Sequence, residues 1–148
     1  MDEPPGPVER TAPEAPVDFG EIAIAIVDDA GTITGWCVLL AATSEQRRRG
    51  LMEVEDLGGY AGMLFVSSSE RQSTFHMQNT PMPLSIAWFD DEGRFVSNAD
   101  MDPCPDVLGC PDYSSAAPAR FALEVPGGQL AAMGVGQGSQ LRVGGSCA

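Results

Sequence analysis

Alternating apolar and polar residues dominate the chain from Phe19 onwards and predict β-strands. In residues 21–28, isoleucine recurs at every second position, a period typical of a strand. Turn-forming residues 28–31 separate this run from a second apolar run at 32–42, which predicts a hairpin. Asp-Glu-Gly at 91–93 predicts another hairpin. We expect further strands at 62–68, 73–79, 85–90, 93–101, 119–126 and 139–145.

Helical patterns are confined to two short segments. Residues 43–57 predict a helix, or a helix followed by an irregular turn, with Thr43 or Ser44 as its N-cap and Gly50 as its end. Residues 127–138 predict a short helix or turn. Seven or more short strands with so little helix predict a mainly β, single-domain fold, an antiparallel β-sandwich or barrel with one or two short helices.

The first 18 residues differ from the rest of the chain. They hold five of the twelve prolines and five acidic residues, a composition that cannot bury a core. We therefore expect a disordered linker at 1–18 and a folded β-rich domain at 19–148. Such a tether often separates an exported domain from a membrane anchor, although a frayed terminus is the simpler interpretation.

Net charge narrows the classes of partner. The chain carries −13 at pH 7, from 21 acidic residues against eight arginines and no lysine. Because phosphate contacts need clustered cations, we expect no nucleic-acid partner. No apolar run is long enough for a membrane span. The single histidine, His76, excludes zinc sites with several histidine ligands, and we expect neither a metal nor a cofactor.

The four cysteines, an even set, do not have the paired spacing of a zinc ribbon. Two disulfides are the simpler interpretation, and they favour a location outside the cytoplasm. Residues 1–18 contain no signal sequence, so the protein is either cytoplasmic or an exported or membrane-anchored one whose signal has been removed. Because of the expected disulfides, we favour the second alternative. A bridge between Cys104 and Cys110 would fix the proline-rich loop at 102–118 and leave Cys37 for Cys147. The sequence alone leaves the connectivity open.

Several motifs occur in a characteristic order along residues 32–145. They are Ser44-Glu45-Gln46-Arg47-Arg48-Arg49-Gly50, Gly62-Met63-Leu64-Phe65-Val66, Phe75-His76-Met77-Gln78-Asn79-Thr80, Pro83-Leu84-Ser85-Ile86 and Ala119-Arg120-Phe121-Ala122-Leu123-Glu124-Val125-Pro126-Gly127-Gly128. Together they resemble domain-of-unknown-function family 192, a bacterial and archaeal group with many exported members. The resemblance implies a compact jelly-roll or sandwich fold and no established enzymatic activity. His76, Gln78 and Ser85 stand where the family usually has Trp, Lys and Asp.

The motif-rich loops predict a ligand site around residues 75–83 and 102–113, because binding residues concentrate in loops. We expect the protein to bind a small molecule or a carbohydrate at the cell envelope without catalysing a reaction. One arginine of 47–49 is expected to bond backbone carbonyls instead of a ligand. The candidate ligand-binding residues are Arg49, Phe75, His76, Met77, Asn79, Pro83, Asp102 and Tyr113.

Three alternatives remain open. An enzyme of unknown reaction would use His76 with an acid from residues 100–112 as its catalytic groups. A copper-binding protein would combine His76 with Met77 and Met82, since thioethers and imidazole suit Cu(I). An interaction domain would instead present a flat apolar patch.

Overall fold

The computed structural model describes residues 19–105 and 109–147. The expected linker at 1–18 and part of the cysteine loop lie outside these residues. The strands are β1 (Gly20–Val27), β2 (Ile33–Ala41), β3 (Met63–Arg71), β4 (Thr74–His76), β5 (Leu84–Phe89), β6 (Phe95–Met101), β7 (Asp112–Ser114), β8 (Ala119–Pro126) and β9 (Gln140–Val143). The helices are α1 (Ser44–Arg49) and a single 3-10 turn (Ala131–Met133). None of the described helices has the length and apolarity that crossing a membrane requires.

Seven strands form one sheet in the order β6-β5-β8-β3-β2-β1-β9, and β4 pairs with β7 in a separate two-stranded sheet. The prediction of a mainly β fold is confirmed. The pairing is antiparallel throughout these sheets except between β2 and β3, which run parallel. This parallel pair departs from the antiparallel prediction. It arises because α1 and the following loop form a crossover connection, after which the first residues of β3 pair with the last residues of β2, Met63 with Leu39.

Both predicted hairpins are present and use the same turn chemistry. The Asp28 carboxylate accepts hydrogen bonds from the N–H groups of Ala30 and Thr32, and the Asp90 carboxylate accepts from those of Glu92 and Arg94. Such side-chain bonds to nearby backbone stabilise a turn locally. These contacts explain why a short Asp-rich sequence was enough to predict each hairpin.

The edge strands β6 and β9 meet at one end of the sheet. The Phe95 N–H donates to the Ser139 carbonyl at 3.2 Å, and the Leu141 N–H donates to the Gly93 carbonyl at 2.7 Å. Gly93 has a φ of 83°, and a Cβ there would lie 2.2 Å from the Leu141 carbonyl oxygen. The sheet therefore curls until its edges touch, and a side chain at Gly93 would prevent the contact.

Two hydrophobic clusters lie on opposite faces of the large sheet. Leu64 of β3 and Leu123 of β8 belong to the inner cluster, while Met63 and Phe65 belong to the outer one. Because neighbouring residues of a strand point to opposite faces, the sheet is covered on both sides. The outer face is covered by the loop after α1, through Leu51, Val54, Leu57 and Tyr60, and by residues flanking β4 and β7.

The helix α1 lies over the outer face and ends as the sequence predicted. Thr43 is its N-cap: the Thr43 side chain accepts from the Gln46 N–H, and the Gln46 side chain accepts from the Thr43 N–H. This reciprocal pair is a capping box. Gly50 closes the helix with a φ of 50°. The helix spans only 44–49, so the remainder of the predicted 43–57 segment is the irregular turn.

Both disulfides are present. Cys37 is bonded to Cys147 and Cys104 to Cys110, and no described cysteine is free. The first bridge joins the centre of β2 to the segment after β9, and the second closes the loop before β7. The structure therefore supplies the connectivity that the sequence alone left open.

Candidate functional site

A cavity of about 260 Å³ lies on the outer face of the sheet, between α1 and β4. Its apolar wall includes Leu51, Phe65, Phe75, Met77 and Trp88. Ligand cavities in proteins are mostly apolar with a small number of placed polar groups. This cavity has both components, because a carboxyl group and several arginines complete its lining.

Phe75 holds the aromatic part of the wall together. Its ring stands edge-on to Phe65 at a centroid distance of 5.2 Å and to Trp88 at 6.1 Å. Edge-to-face contacts of this kind stabilise aromatic clusters beyond simple burial. The indole N–H of Trp88 is buried, and it has no hydrogen-bond partner among the described residues. Buried donors are nearly always paired, so an unpaired donor in a cavity wall is unusual.

Glu124 provides a carboxyl group from within the sheet. It lies on β8 between Leu123 and Val125, which point to the inner core, so its own side chain points to the outer face and lines the cavity. The residue is 4% exposed, and no hydrogen bond or ion pair reaches its carboxyl group from the described part of the chain. Burial raises the pKa of Glu124 to about 8. The group is therefore mostly protonated at neutral pH.

Arginines surround this carboxyl group at a distance, along the cavity rim. Five of the eight arginines line the cavity, whereas Glu124 is its one acidic residue among those described. In a chain of net charge −13 this is a local reversal of sign. The arginines are Arg47, Arg48 and Arg49 of α1, Arg71 of β3 and Arg120 of β8.

Two of these arginines are committed to the backbone. The Arg47 guanidinium donates to the carbonyls of Ala42 (2.7 Å) and Val66 (2.9 Å), and it therefore ties α1 to β3. Arg120 donates to the Ser67 carbonyl at 3.1 Å and pairs with Asp91 at 2.9 Å. Arg47 thus fulfils the expectation that one arginine of the 47–49 cluster is structural.

The other three arginines are exposed. Arg49 pairs with Glu53 at 3.4 Å, with both side chains more than half exposed. Arg71 contacts the Ser68 hydroxyl at 3.4 Å. Arg48 forms no hydrogen bond or ion pair within the described ranges. Solvated pairs of this kind contribute little stability, so these guanidinium groups can exchange partners readily.

The structure brings four of the eight predicted site residues to this cavity and separates the other four. Arg49, Phe75, His76 and Met77 line it. Asn79 lies instead at a second, more open cavity of about 390 Å³ beside Cys104. Pro83, Asp102 and Tyr113 line neither cavity.

The backbone of Asn79 connects two loops. It adopts a φ of 59°, its N–H donates to the Cys104 carbonyl at 3.0 Å, and its carbonyl accepts from the Glu53 N–H at 2.7 Å. The Pro83 carbonyl accepts from the Gly127 N–H at 2.9 Å. Tyr113 pairs with Phe75 across β4 and β7 and packs against the outer core. These contacts are structural, and Asp102 is simply exposed.

The groups invoked by the alternative functions are arranged as follows. Asp112 is the register partner of His76, although no hydrogen bond or ion pair joins the two side chains in the described part. The carboxylate of Asp100 accepts from the Ser85 hydroxyl at 2.7 Å. Met77 is 1% exposed and packs in the outer core, whereas His76 is exposed and its Nδ1 accepts from the Gln78 N–H at 3.3 Å. Residues 106–108 of the acidic loop lie outside the described residues.

The candidate ligand-binding residues predicted from the sequence did not include Glu124 or Trp88. In the strand predicted at 119–126, Phe121, Leu123 and Val125 share one face, so Glu124 falls on the opposite face and nothing in the local pattern marks it as buried. The available signal was the largely apolar run at 84–89, which forms β5 and whose six residues are all buried in the structure. A strand buried on both faces belongs to a sheet covered on both faces, so its neighbour β8 is covered as well.

The comparisons with known proteins agree with this fold. Residues 25–143 match the family model DUF192, described as an uncharacterized ACR. The chain belongs to this family, and the resemblance recognised from its motifs is confirmed. None of the curated proteins matches the chain.

Two crystal structures are similar over most of the chain. A protein of unknown function from Novosphingobium aromaticivorans is 27% identical, with a TM-score of 0.73 over 95% of this chain and 99% of that one. A Sinorhizobium meliloti protein, described provisionally as a transcription regulator, is 24% identical, with a TM-score of 0.74 over 87% of this chain and 98% of that one. This second likeness concerns the fold alone.

Proposed function

We propose that this protein binds a small molecule, without transforming it, in the cavity between α1, β4 and the large sheet. The observation that carries the proposal is Glu124, a carboxyl group that is 4% exposed, lines a cavity and has no partner in the described residues. Burying a polar group without a hydrogen bond costs stability. A ligand that supplies the missing hydrogen-bond partner offsets that cost, which favours binding in this cavity.

The cavity favours a small, partly apolar ligand over a sugar. Sugar recognition uses an accessible aromatic face, and every aromatic ring in the described residues is buried or half-buried. The ring of Phe75 packs edge-to-face against both Phe65 and Trp88. Carbohydrate therefore becomes the less favoured ligand class, while small-molecule binding is retained.

We place this binding activity outside the cytoplasm. Two disulfides support an oxidising compartment, because cytosolic thiols are normally kept reduced. Intact mass measured after alkylation, with and without reductant, tests this for protein taken from its native cells. Four protected cysteines would support an extracytoplasmic location, and four alkylated cysteines would refute it.

The transcription-regulator description of the Sinorhizobium meliloti protein does not fit this chain well. At 24% identity the likeness carries the fold alone. Net charge is −13, and five of the eight arginines line a cavity. Since DNA binding depends on cations that reach the phosphates, we do not extend that function to this protein.

Ligand binding can be tested with a pair of matched threonine-to-tryptophan substitutions. Thr74→Trp on β4 places a large ring in the lining of the cavity, whereas Thr34→Trp places it at an exposed position of β2 outside that lining. A thermal-shift screen would use small carboxylic acids with their matched primary amides and amines, together with mono- and disaccharides. Ligand binding to the native state raises the melting temperature.

We expect at least one chemical class to stabilise the wild type and Thr34→Trp, and to have no effect on Thr74→Trp. The melting temperatures without ligand report whether each variant folds. The proposal fails if no class stabilises the wild type, or if the hits stabilise Thr74→Trp equally.

Catalysis is a second candidate, favoured by one observation. Glu124 and His76 line the same cavity, and a carboxyl group with a raised pKa in a cavity is typical of a general acid. In this version Glu124 replaces an acid from residues 100–112. Incubating each hit with the protein and following it by mass spectrometry decides between the two. Recovery of unchanged ligand supports binding, and turnover that His76→Gln abolishes supports catalysis.

A further inference from the structure

We propose that the ligand is a small organic anion, held by the exposed arginines at the cavity rim and accepting a hydrogen bond from Glu124 through an uncharged oxygen at the other end. This inference rests on the proposed binding function and specifies the chemical class of the ligand. It rests on two features of the cavity: the positive charge of the arginines at its rim, and the protonated carboxyl group of Glu124 in its wall.

The charge distribution selects an anion. Five of the eight arginines line this one cavity, against a single carboxyl group. Elsewhere the chain is strongly acidic, so the rim concentrates positive potential on an otherwise negative surface. Clefts lined by one sign of charge attract ligands of the opposite sign and raise their local concentration.

The available guanidinium groups are those of α1 and β3 that the backbone does not use. Arg48 has no partner within the described chain, and Arg49 and Arg71 have contacts of 3.4 Å that solvent competes for. Arginine binds carboxylate and phosphate with two parallel hydrogen bonds. Arg47 fixes the position of this group by tying α1 to the Val66 carbonyl at 2.9 Å.

Glu124 selects the opposite end of the ligand. Its carboxyl group lies among the apolar register partners Met63 and Ile86 and is protonated at neutral pH, since burial raises its pKa to about 8. A protonated carboxyl group donates one hydrogen bond. It therefore suits a carbonyl, ether or hydroxyl oxygen and disfavours a second negative charge.

A ligand whose ammonium group faces Glu124 would favour the ionised carboxylate and pair with it. Such a cation would have to pass the positively charged arginines at the cavity rim. The other titratable groups on the cavity wall are Arg47, Arg48 and Arg49 from α1, Arg71 from β3, His76 from β4 and Arg120 from β8. All are basic, so none of them assists a cationic ligand.

The experiment measures affinity by titration calorimetry, using the acid, amide and amine triplets of the thermal-shift screen. We expect binding by the acids alone, with affinity reduced at least tenfold in the double variant Arg48→Gln, Arg49→Gln. Arg142→Gln, at an exposed arginine outside the cavity, is the matched control and is expected to bind as the wild type does. Higher salt should weaken the acids because exposed charges are screened.

The role of Glu124 is tested by the pH dependence of binding. If the protonated form with a pKa of about 8 is required, affinity for the acids falls about 30-fold between pH 6.5 and 9.5. In Glu124→Gln the amide N–H donates at every pH, so this variant should bind acids with affinity that does not change over that interval. If the affinity for the amines rises with pH, the ligand would instead be an ammonium compound paired with ionised Glu124.

The two proposals fail in different ways. Binding confined to amides or amines, and blocked by Thr74→Trp, overturns the anion inference and leaves the cavity as a binding site. Acid binding that is equally strong in the double arginine variant also overturns the inference. Absence of any binding by the wild type overturns both.

Discussion

Glu124 makes a strong prediction about stability, because a buried carboxyl group couples folding to pH. In the unfolded chain this group titrates near its ordinary pKa of 4.5, and in the native protein burial raises the pKa to about 8. Between these values the native state holds a proton that the unfolded chain has released. Stability from this group is therefore complete below pH 4.5, and it is lost progressively as pH rises through 8.

The magnitude follows from the separation of the two pKa values. Each unit of separation is worth about 1.4 kcal/mol, so Glu124 lowers the free energy of unfolding by about 3 kcal/mol at pH 7 and by at most about 5 kcal/mol above pH 8. Glu124→Gln keeps the shape of the side chain and removes the titration. We expect the variant to gain on the wild type by about 4 kcal/mol between pH 5 and pH 8.5.

The assay is urea unfolding of wild type and Glu124→Gln at several pH values from 5 to 8.5, with the disulfides intact. Subtracting the two curves removes the contribution of every other titrating group. A difference that changes by less than about 1 kcal/mol over this interval would refute the argument, because it would mean that Glu124 titrates alike in the folded and unfolded chains. A variant that loses stability relative to the wild type as pH rises would refute it as well.

Three further predictions concern the frame around the cavity. Replacing Cys37 and Cys147 by serine should lower the free energy of unfolding by about 5 kcal/mol, because the bridge closes a loop of sequence separation 110. Urea unfolding of the double variant measures this loss, and a loss below about 1 kcal/mol would contradict the loop-entropy argument. Gly62→Ala should destabilise the protein by about 3 kcal/mol, since a Cβ would lie 2.1 Å from the Glu124 carbonyl oxygen. Gly136→Ala, where nothing lies within 4 Å of the added Cβ, is the matched control, and equal melting temperatures for the two variants would show that the backbone at Gly62 moves to accommodate the side chain. Thr43→Ala should lower the stability of the protein by about 1 kcal/mol because it removes the capping box of α1. Ligand affinity should fall as well, because α1 carries three of the rim arginines; unchanged stability in calorimetric melting would contradict the stabilising role of the cap.

Much of the candidate site was accessible from sequence patterns because those patterns reflect local chemistry. Phe75 and His76 were identified from the density of motifs in the predicted loops, and both line the cavity. Arg49 was identified within the one basic cluster of an acidic chain. Asn79 and Pro83 belong to the same motifs, but their backbones connect loops and so keep them away from this cavity. A motif therefore identifies residues with a role in the fold or in the site, but it does not distinguish ligand-binding residues from residues that hold the loops in place.

The sequence by itself determined the local elements of this protein. Period-two alternation marked the strands, aspartate and glycine marked the turns at 28–31 and 90–93, and Thr43 and Gly50 marked the two ends of α1. These signals are readable because each acts within a few residues through backbone geometry or a side-chain cap. The family, too, is carried by short ordered motifs.

Tertiary structure decided how these elements combine and what the cavity contains. The parallel pairing of β2 with β3, and the covering of the outer face by α1 and the loop after it, depend on contacts between distant residues. That covering converts Glu124 from an apparent surface acid into a buried carboxyl group with a pKa of about 8. Desolvation is set by the atoms that surround a group in space, and a strand pattern specifies only which face a side chain takes.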